Sequence, residues 1–125
     1  MNKKPYDPNN VFARILRGEI PAERVCDSKH SFAFYDISHA APVHVLVIPR
    51  GEYTDFHDFT SRATNEEIID FWKLVDTIAA EQSLLPTGFR LISNIGHDSG
   101  QEVFHFHVHM LGGAPLGPIL APAQK

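Results

Sequence analysis

His105, His107 and His109 alternate with Phe106, Val108 and Met110 inside the stretch from Ser99 to Gly113. An extended chain sends successive side chains to opposite faces, so this spacing puts the imidazoles on one face at a repeat of about 7 Å. Packing alone is a poor reason for such a row, because each ring carries two nitrogens that need partners. Two chemistries suit it. Imidazole is a common zinc ligand, and two histidines two apart could meet one ion, with His44 adding a ligand from a neighbouring strand. Against that, the outer members sit about 13 Å apart along the backbone, and Glu102 is the sole acid in the stretch. The other chemistry is nucleophilic. If a carbonyl fixes one N–H of a neutral imidazole, its other nitrogen is aimed and more basic. Flanking rings can then hold a phosphoryl group and protonate a leaving atom. The row by itself leaves both open.

Something must position these rings. Val43-His-Val-Leu-Val-Ile48 is nearly continuous in apolar residues, which predicts a strand covered on both faces, with His44 its one polar member. Residues 23–27, 31–36 and 89–94 read as further strands, and the histidine run as the last. Asn9 or Asn10 can cap a short helix that carries Phe12, Ile15 and Leu16 and ends at Gly18. Thr64-Asn-Glu-Glu67 is a capping box that opens a long helix running to about Ser83. Ile68, Trp72, Val75 and Ala79, with Ile69 and Ile78 beside them, form its expected buried stripe, so Trp72 reads as core. Residues 54–62 give only a weak helical signal. The order predicts an α+β fold, an antiparallel five-stranded sheet with the long helix over one face and a short N-terminal helix. Residues 1–10 are expected to be a flexible start, 11–113 a single domain, and 114–125 an extended tail.

Composition narrows the function. At 125 residues, 43% hydrophobic and 21% charged, the chain suits one ordinary globular core. A net charge of −4 without a basic cluster argues against a nucleic-acid partner, while local donors could still hold one phosphate. Cys26 is the single cysteine, so no internal disulfide forms; it reads as a small buried apolar residue, and the compartment as cytoplasm. No apolar run reaches the length of a membrane span, and no signal-peptide core follows Met1. His30, His57 and His97 read as surface residues.

His105-Phe-His-Val-His-Met-Leu111 resembles the His-φ-His-φ-His-φ-φ signature of the histidine-triad (HIT) superfamily, φ being an apolar residue. Other blocks carry the resemblance: Phe12-Ala-Arg-Ile-Leu-Arg-Gly-Glu-Ile-Pro21, Phe34-Tyr-Asp-Ile-Ser38, Ala41-Pro-Val-His-Val-Leu-Val-Ile-Pro49, Phe89-Arg-Leu-Ile-Ser-Asn94 and Gly100-Gln-Glu-Val-Phe104. Together they span about residues 11 to 121. Met110-Leu-Gly-Gly113 followed by Pro-Leu-Gly-Pro is similar to bacterial members of the nucleotide-binding, nucleoside-phosphoramidase branch.

The resemblance implies a HIT-like fold and a purine nucleoside 5′-phosphoramidate hydrolase that needs no metal or other cofactor. On that reading His107 attacks the α-phosphorus, His109 contacts the phosphate and the leaving amine, His105 supports the ring of His107, and His44 completes the cluster. Asp36 would bind the ribose hydroxyls, and Asn94 with the backbone from Gln101 to Val103 would hold phosphate oxygens. Phe12, Ile15, Ile20, Phe34 and Ile37 would line the purine slot; each also reads as ordinary core. The expected partner is a purine mononucleotide or nucleoside phosphoramidate, and the chain is expected to be a homodimer through its long helix and a strand edge. Glu102 departs from the serine of animal members, and a carboxylate there would repel phosphate. His39 stands where the family often has proline, and Tyr35 stands beside Asp36 where the residue varies; either could alter the nucleoside edge. Alternatives are a nucleotide-binding or regulatory protein with vestigial hydrolysis, a dinucleoside polyphosphate hydrolase, or a histidine metalloprotein.

Overall fold

The computed structural model describes residues 5–120. Helix α1 (Val11–Leu16) is followed by strands β1 (Arg24–Asp27), β2 (Ser31–Tyr35) and β3 (Val43–Pro49), helices α2 (Phe56–Arg62) and α3 (Asn65–Glu81), and strands β4 (Phe89–Ile92) and β5 (Val108–Gly112). The strands form one antiparallel sheet in the order β1-β2-β3-β5-β4. The α+β expectation and its five strands hold. β3 lies at the centre, as its unbroken apolar run required, with every residue from His44 to Pro49 buried.

Alternation along β3 divides the molecule. Val45 and Val47 face α3 and join Phe71, Ile78, Phe59, Phe106 and Met110 in the larger core. Leu46 and Ile48 face the other way, into a smaller cluster with Phe12 and Phe34 beneath α1. His44 shares that second face by its even spacing from Leu46. The sheet therefore has a helix on each side, and the thinner side carries the histidines.

Thr64 caps α3 through the expected reciprocal pair: its side chain accepts from the Glu67 N–H, and the Glu67 carboxylate accepts from the Thr64 N–H. The expected stripe on α3 holds in part: Val75, Ile78 and Ala79 are buried and Ile68 packs against the core, whereas Ile69 and Trp72 remain 58% and 41% exposed. Phe71 and Leu74, outside that stripe, complete the buried face. Apolar residues occur on two sides of the first half of this helix, and there Phe71 takes the inner place, packed against Phe59 and Phe106. Trp72 and Phe71 meet edge to face.

Two further expectations need correction. Residues 56–62 form a full helix, α2, capped by the Asp55 side chain on the Asp58 N–H. Buried Asp58 ties it down by accepting from Arg62 at 2.7 Å and from the Thr54 N–H at 2.9 Å. Cys26 is half-buried against the core rather than enclosed by it. At the N-terminal end, residues 8–10 form a turn in which the Asn10 N–H donates to the Asp7 carbonyl at 3.1 Å. Asn10 then caps α1, and Gly18 turns the chain at φ +78°.

Candidate active site

β5 stays in the sheet only from Val108 onward: its pairing with β3 ends at Val47↔Val108 and with β4 at Ile92↔His109. Of the histidine row, His109 alone lies in a strand, which corrects the expectation that all three do. The cause is on the opposite strand, where Pro49 has no N–H to extend the ladder. The chain ahead of Val108 hangs instead on the segment after β3. The Phe106 N–H donates to the Tyr53 carbonyl at 2.7 Å, and His105 Nε2–H donates to the Pro49 carbonyl at 2.8 Å. The Gln101 amide donates to the carbonyls of Thr54 (2.9 Å) and Val103 (3.1 Å), while its oxygen accepts from the Gly96 N–H at 2.9 Å. From the β4 side, the Ser93 hydroxyl donates to the His107 carbonyl at 2.9 Å.

These contacts fix the protons. Because Pro49 can only accept, His105 carries its proton on Nε2, and its Nδ1 accepts from the Tyr6 hydroxyl at 2.8 Å. His107 Nδ1–H donates to the His105 carbonyl at 2.7 Å, which leaves the lone pair on His107 Nε2. The Ala40 N–H donates to His44 Nδ1 at 3.2 Å, so the His44 proton sits on Nε2 and is given to His109 Nδ1 at 3.0 Å. The free proton of neutral His109 is consequently on Nε2. The two pocket histidines thus offer opposite polarity, a lone pair on His107 and an N–H on His109, with ring centres 5.1 Å apart.

Burial governs their charge. It pushes His105 down to about 4, against the pull of the Pro49 carbonyl. His109 is also pushed down to about 4, first by burial and then by repulsion from His107 and His44. His107 is lowered by burial, opposed by its bond to the His105 carbonyl and by the charge of Asp36. All three rings are neutral at pH 7.

His107 and His109 open onto a cavity of about 420 Å³ between α1, the β2–β3 loop and residues 94–103. Phe12, Ile15, Ile20 and Phe34 form its apolar end, and Asp36, Ser38, Asn94 and Glu102 are among the polar residues of its wall. Phe12 and His107 meet edge to face with ring centres 4.9 Å apart. Among the described residues, no lysine or arginine lines the cavity. One Asp36 oxygen accepts from the Ser38 N–H at 2.8 Å, and the other lies 3.4 Å from His44 Nε2.

The expected site residues divide between cavity and support. His105 is 0% exposed and lies outside the cavity lining, under the ring of His107 as expected of a support. Gln101 and Val103 line the cavity, and the Gln101 side chain is spent on bracing loops. Asn94 lies beyond the end of β4, which stops at Ile92 rather than at residue 94. Ile37 is 96% exposed at the cavity mouth and is no core residue. Tyr35 turns its hydroxyl to the other side of the sheet, where Gln82 donates to it at 3.0 Å. His39, His57 and His97 are exposed, and His30 pairs with Glu66. Among the described residues, the group able to gather round a metal ion is Asp36, His44 and His109, not the row of three. Tyr6 and Ser93 went unread in the sequence. Neither breaks a pattern around it, so no local signal marked them.

Residues 17–116 match the model of the HIT domain. The chain belongs to the HIT-domain family. A HIT-like protein of 13.2 kDa from Azospirillum brasilense, itself uncharacterised, is 50% identical over 94% of this chain and 96% of its own. A purine nucleoside phosphoramidase of Escherichia coli K12 is 40% identical over 89% of this chain and 92% of its own. Among solved structures, a histidine triad protein from Clostridium difficile superposes with a TM-score of 0.79 at 35% identity, covering 90% of this chain and 96% of that one. In this HIT domain the row of three thus divides into two cavity histidines and one buried support.

Proposed function

We propose that this HIT-domain chain is a purine nucleoside 5′-phosphoramidate hydrolase that works through a nucleotidyl-His107 intermediate. The observation that carries the proposal is the polarity of the cavity histidines, a bare Nε2 on His107 beside an N–H on His109. His107 Nε2 forms a bond to the α-phosphorus as the P–N bond breaks. The His109 Nε2–H is hydrogen-bonded to the reacting phosphoryl group and its leaving nitrogen, and the amine departs with a proton taken up from solvent. Water then bonds to phosphorus, the His107–phosphorus bond breaks, and the proton of water is released to solvent. The products are an amine and a nucleoside 5′-monophosphate. Splitting one displacement into two easier ones is the benefit of the covalent step.

Other features support the substrate class. The apolar end around Phe12 and Phe34 suits a purine, and Asp36 stands where two ribose hydroxyls could donate to it. The second nitrogen of His44 supports metal-free chemistry. A metal-bound imidazole gives its other N–H to an acceptor, whereas His44 Nδ1 faces the donor of Ala40. The phosphoramidase of Escherichia coli agrees in substrate class. Cytoplasm is the proposed compartment; among the described residues no helix is long and apolar enough to cross a membrane.

The test is His107→Ala assayed on adenosine 5′-phosphoramidate, beside an alkaline quench of wild type with labelled substrate. Turnover should fall by at least about 10³-fold and the labelled adduct should vanish. A variant that keeps most of its turnover would sink the mechanism, and wild type that binds nucleotide without forming an adduct would favour a binding role.

A further inference from the structure

We propose that Tyr6 is a positioning residue of the histidine site: its hydroxyl holds His105 in one tautomer and, through the His105 carbonyl, sets the ring of His107. The inference builds on the hydrolase reading above. Tyr6 lies ahead of residues 17–116, the part matched by the family model, and outside every block that carries the resemblance.

The geometry is a chain of single-minded contacts. The Pro49 carbonyl claims the Nε2 proton of His105, the Tyr6 hydroxyl at 2.8 Å fills Nδ1, and the His105 carbonyl takes the Nδ1 proton of His107 at 2.7 Å. Tyr6 is also an edge-on lid, its ring centre 5.6 Å from that of His105. Its own placement is built: Arg17 donates to the Pro8 carbonyl at 2.7 Å, and Asn10, the cap of α1, lies against the Tyr6 hydroxyl. The charged groups acting on that hydroxyl are Glu52, Arg17 and Asp7, and the titratable group acting on His105 is His107.

Removal of the hydroxyl would leave a fully buried ring nitrogen with no donor. Such an acceptor either stays unsatisfied or takes up a proton. A proton on His105 would put a positive charge beside His107 and weaken its lone pair as a nucleophile. The phenol therefore does with a hydrogen bond what a proton would otherwise do, without the charge. His107 keeps its basicity because the Tyr6 hydroxyl, not a proton, occupies Nδ1 of His105.

The experiment uses full-length Tyr6→Phe, which keeps the ring and its packing. Its kcat on adenosine 5′-phosphoramidate should fall about 10-fold, the worth of one buried hydrogen bond, with KM held within about 2-fold. The acid limb of kcat against pH should move to higher pH. Long-range proton–nitrogen NMR of the imidazoles should show His105 Nδ1 bare in wild type at neutral pH and taking up a proton at higher pH in the variant. An acid limb and a His105 titration identical to wild type overturn the proposal, and so does a fall in kcat without either shift, which would mean a structural role alone. Retained turnover in His107→Ala would instead defeat the hydrolase reading, and the NMR would still decide whether Tyr6 sets the His105 tautomer.

Discussion

Asp36 divides its carboxylate between two neighbours, one oxygen on the Ser38 N–H and the other toward His44. The second oxygen still has a lone pair for a ligand hydroxyl, which is the basis of its proposed role at the ribose. Asp36→Asn keeps an acceptor for Ser38 and removes the charge. It should raise KM for ribonucleoside phosphoramidates about 10-fold and reduce the preference for ribose over deoxyribose by a similar factor. A preference unchanged from wild type would rule the role out. His44 in β3 and His107 and His109 near β5 were legible in the sequence because each is polar inside an apolar run, and Asp36 through the family resemblance of the block from Phe34 to Ser38. Tyr6 and Ser93 were not. Tyr6 meets His105 across 99 residues, and a tyrosine in a polar terminal stretch breaks no pattern.

At the scale of elements, the limits of α3 could be read and its orientation only in part: Val75, Ile78 and Ala79 are buried as expected, while Trp72 is not. The capping box is a local device and fixes where the helix starts, whereas the buried face depends on what the sheet presents. The outcome leaves Ile68, Ile69, Trp72, Lys73 and Asp76 as one shallow outer patch on α3, and β4 as an edge strand with Leu91 41% exposed. An exposed tryptophan and an open strand edge suit the expected homodimer. Trp72→Glu should turn a dimer into a monomer in sedimentation velocity, with the fold retained by circular dichroism. A wild-type chain that sediments as a monomer at tens of micromolar refutes the dimer. The helix α2 went largely unread for a different reason: seven residues are too few for periodicity, and its stability rests on the Asp55 cap and the Asp58–Arg62 pair.

For the molecule as a whole, the buried neutral histidines link stability to pH. In the unfolded chain each takes up a proton below about 6.5, while folded His105 and His109 resist until about 4. Their folded values are depressed, so the stabilisation is complete above about 6.5 and is lost as pH falls through that window. Fully buried His105 alone should contribute about 1.4 kcal/mol per pH unit there. The urea midpoint should therefore drop between pH 7.5 and pH 5, and less steeply in His105→Gln. A flat midpoint across that range contradicts the burial argument.

The loss of sheet pairing at Pro49 has a mechanical consequence. His109 is fixed to the centre of the sheet, where backbone amides should exchange with solvent only when the whole domain opens. His107 rests on a segment outside the ladder, held by bonds to residues 49–54 and to Ser93 and by Phe106 in the larger core. The two cavity histidines therefore depend on different supports: sheet pairing holds the proposed hydrogen-bond donor, and loop bonds with one aromatic anchor hold the proposed nucleophile.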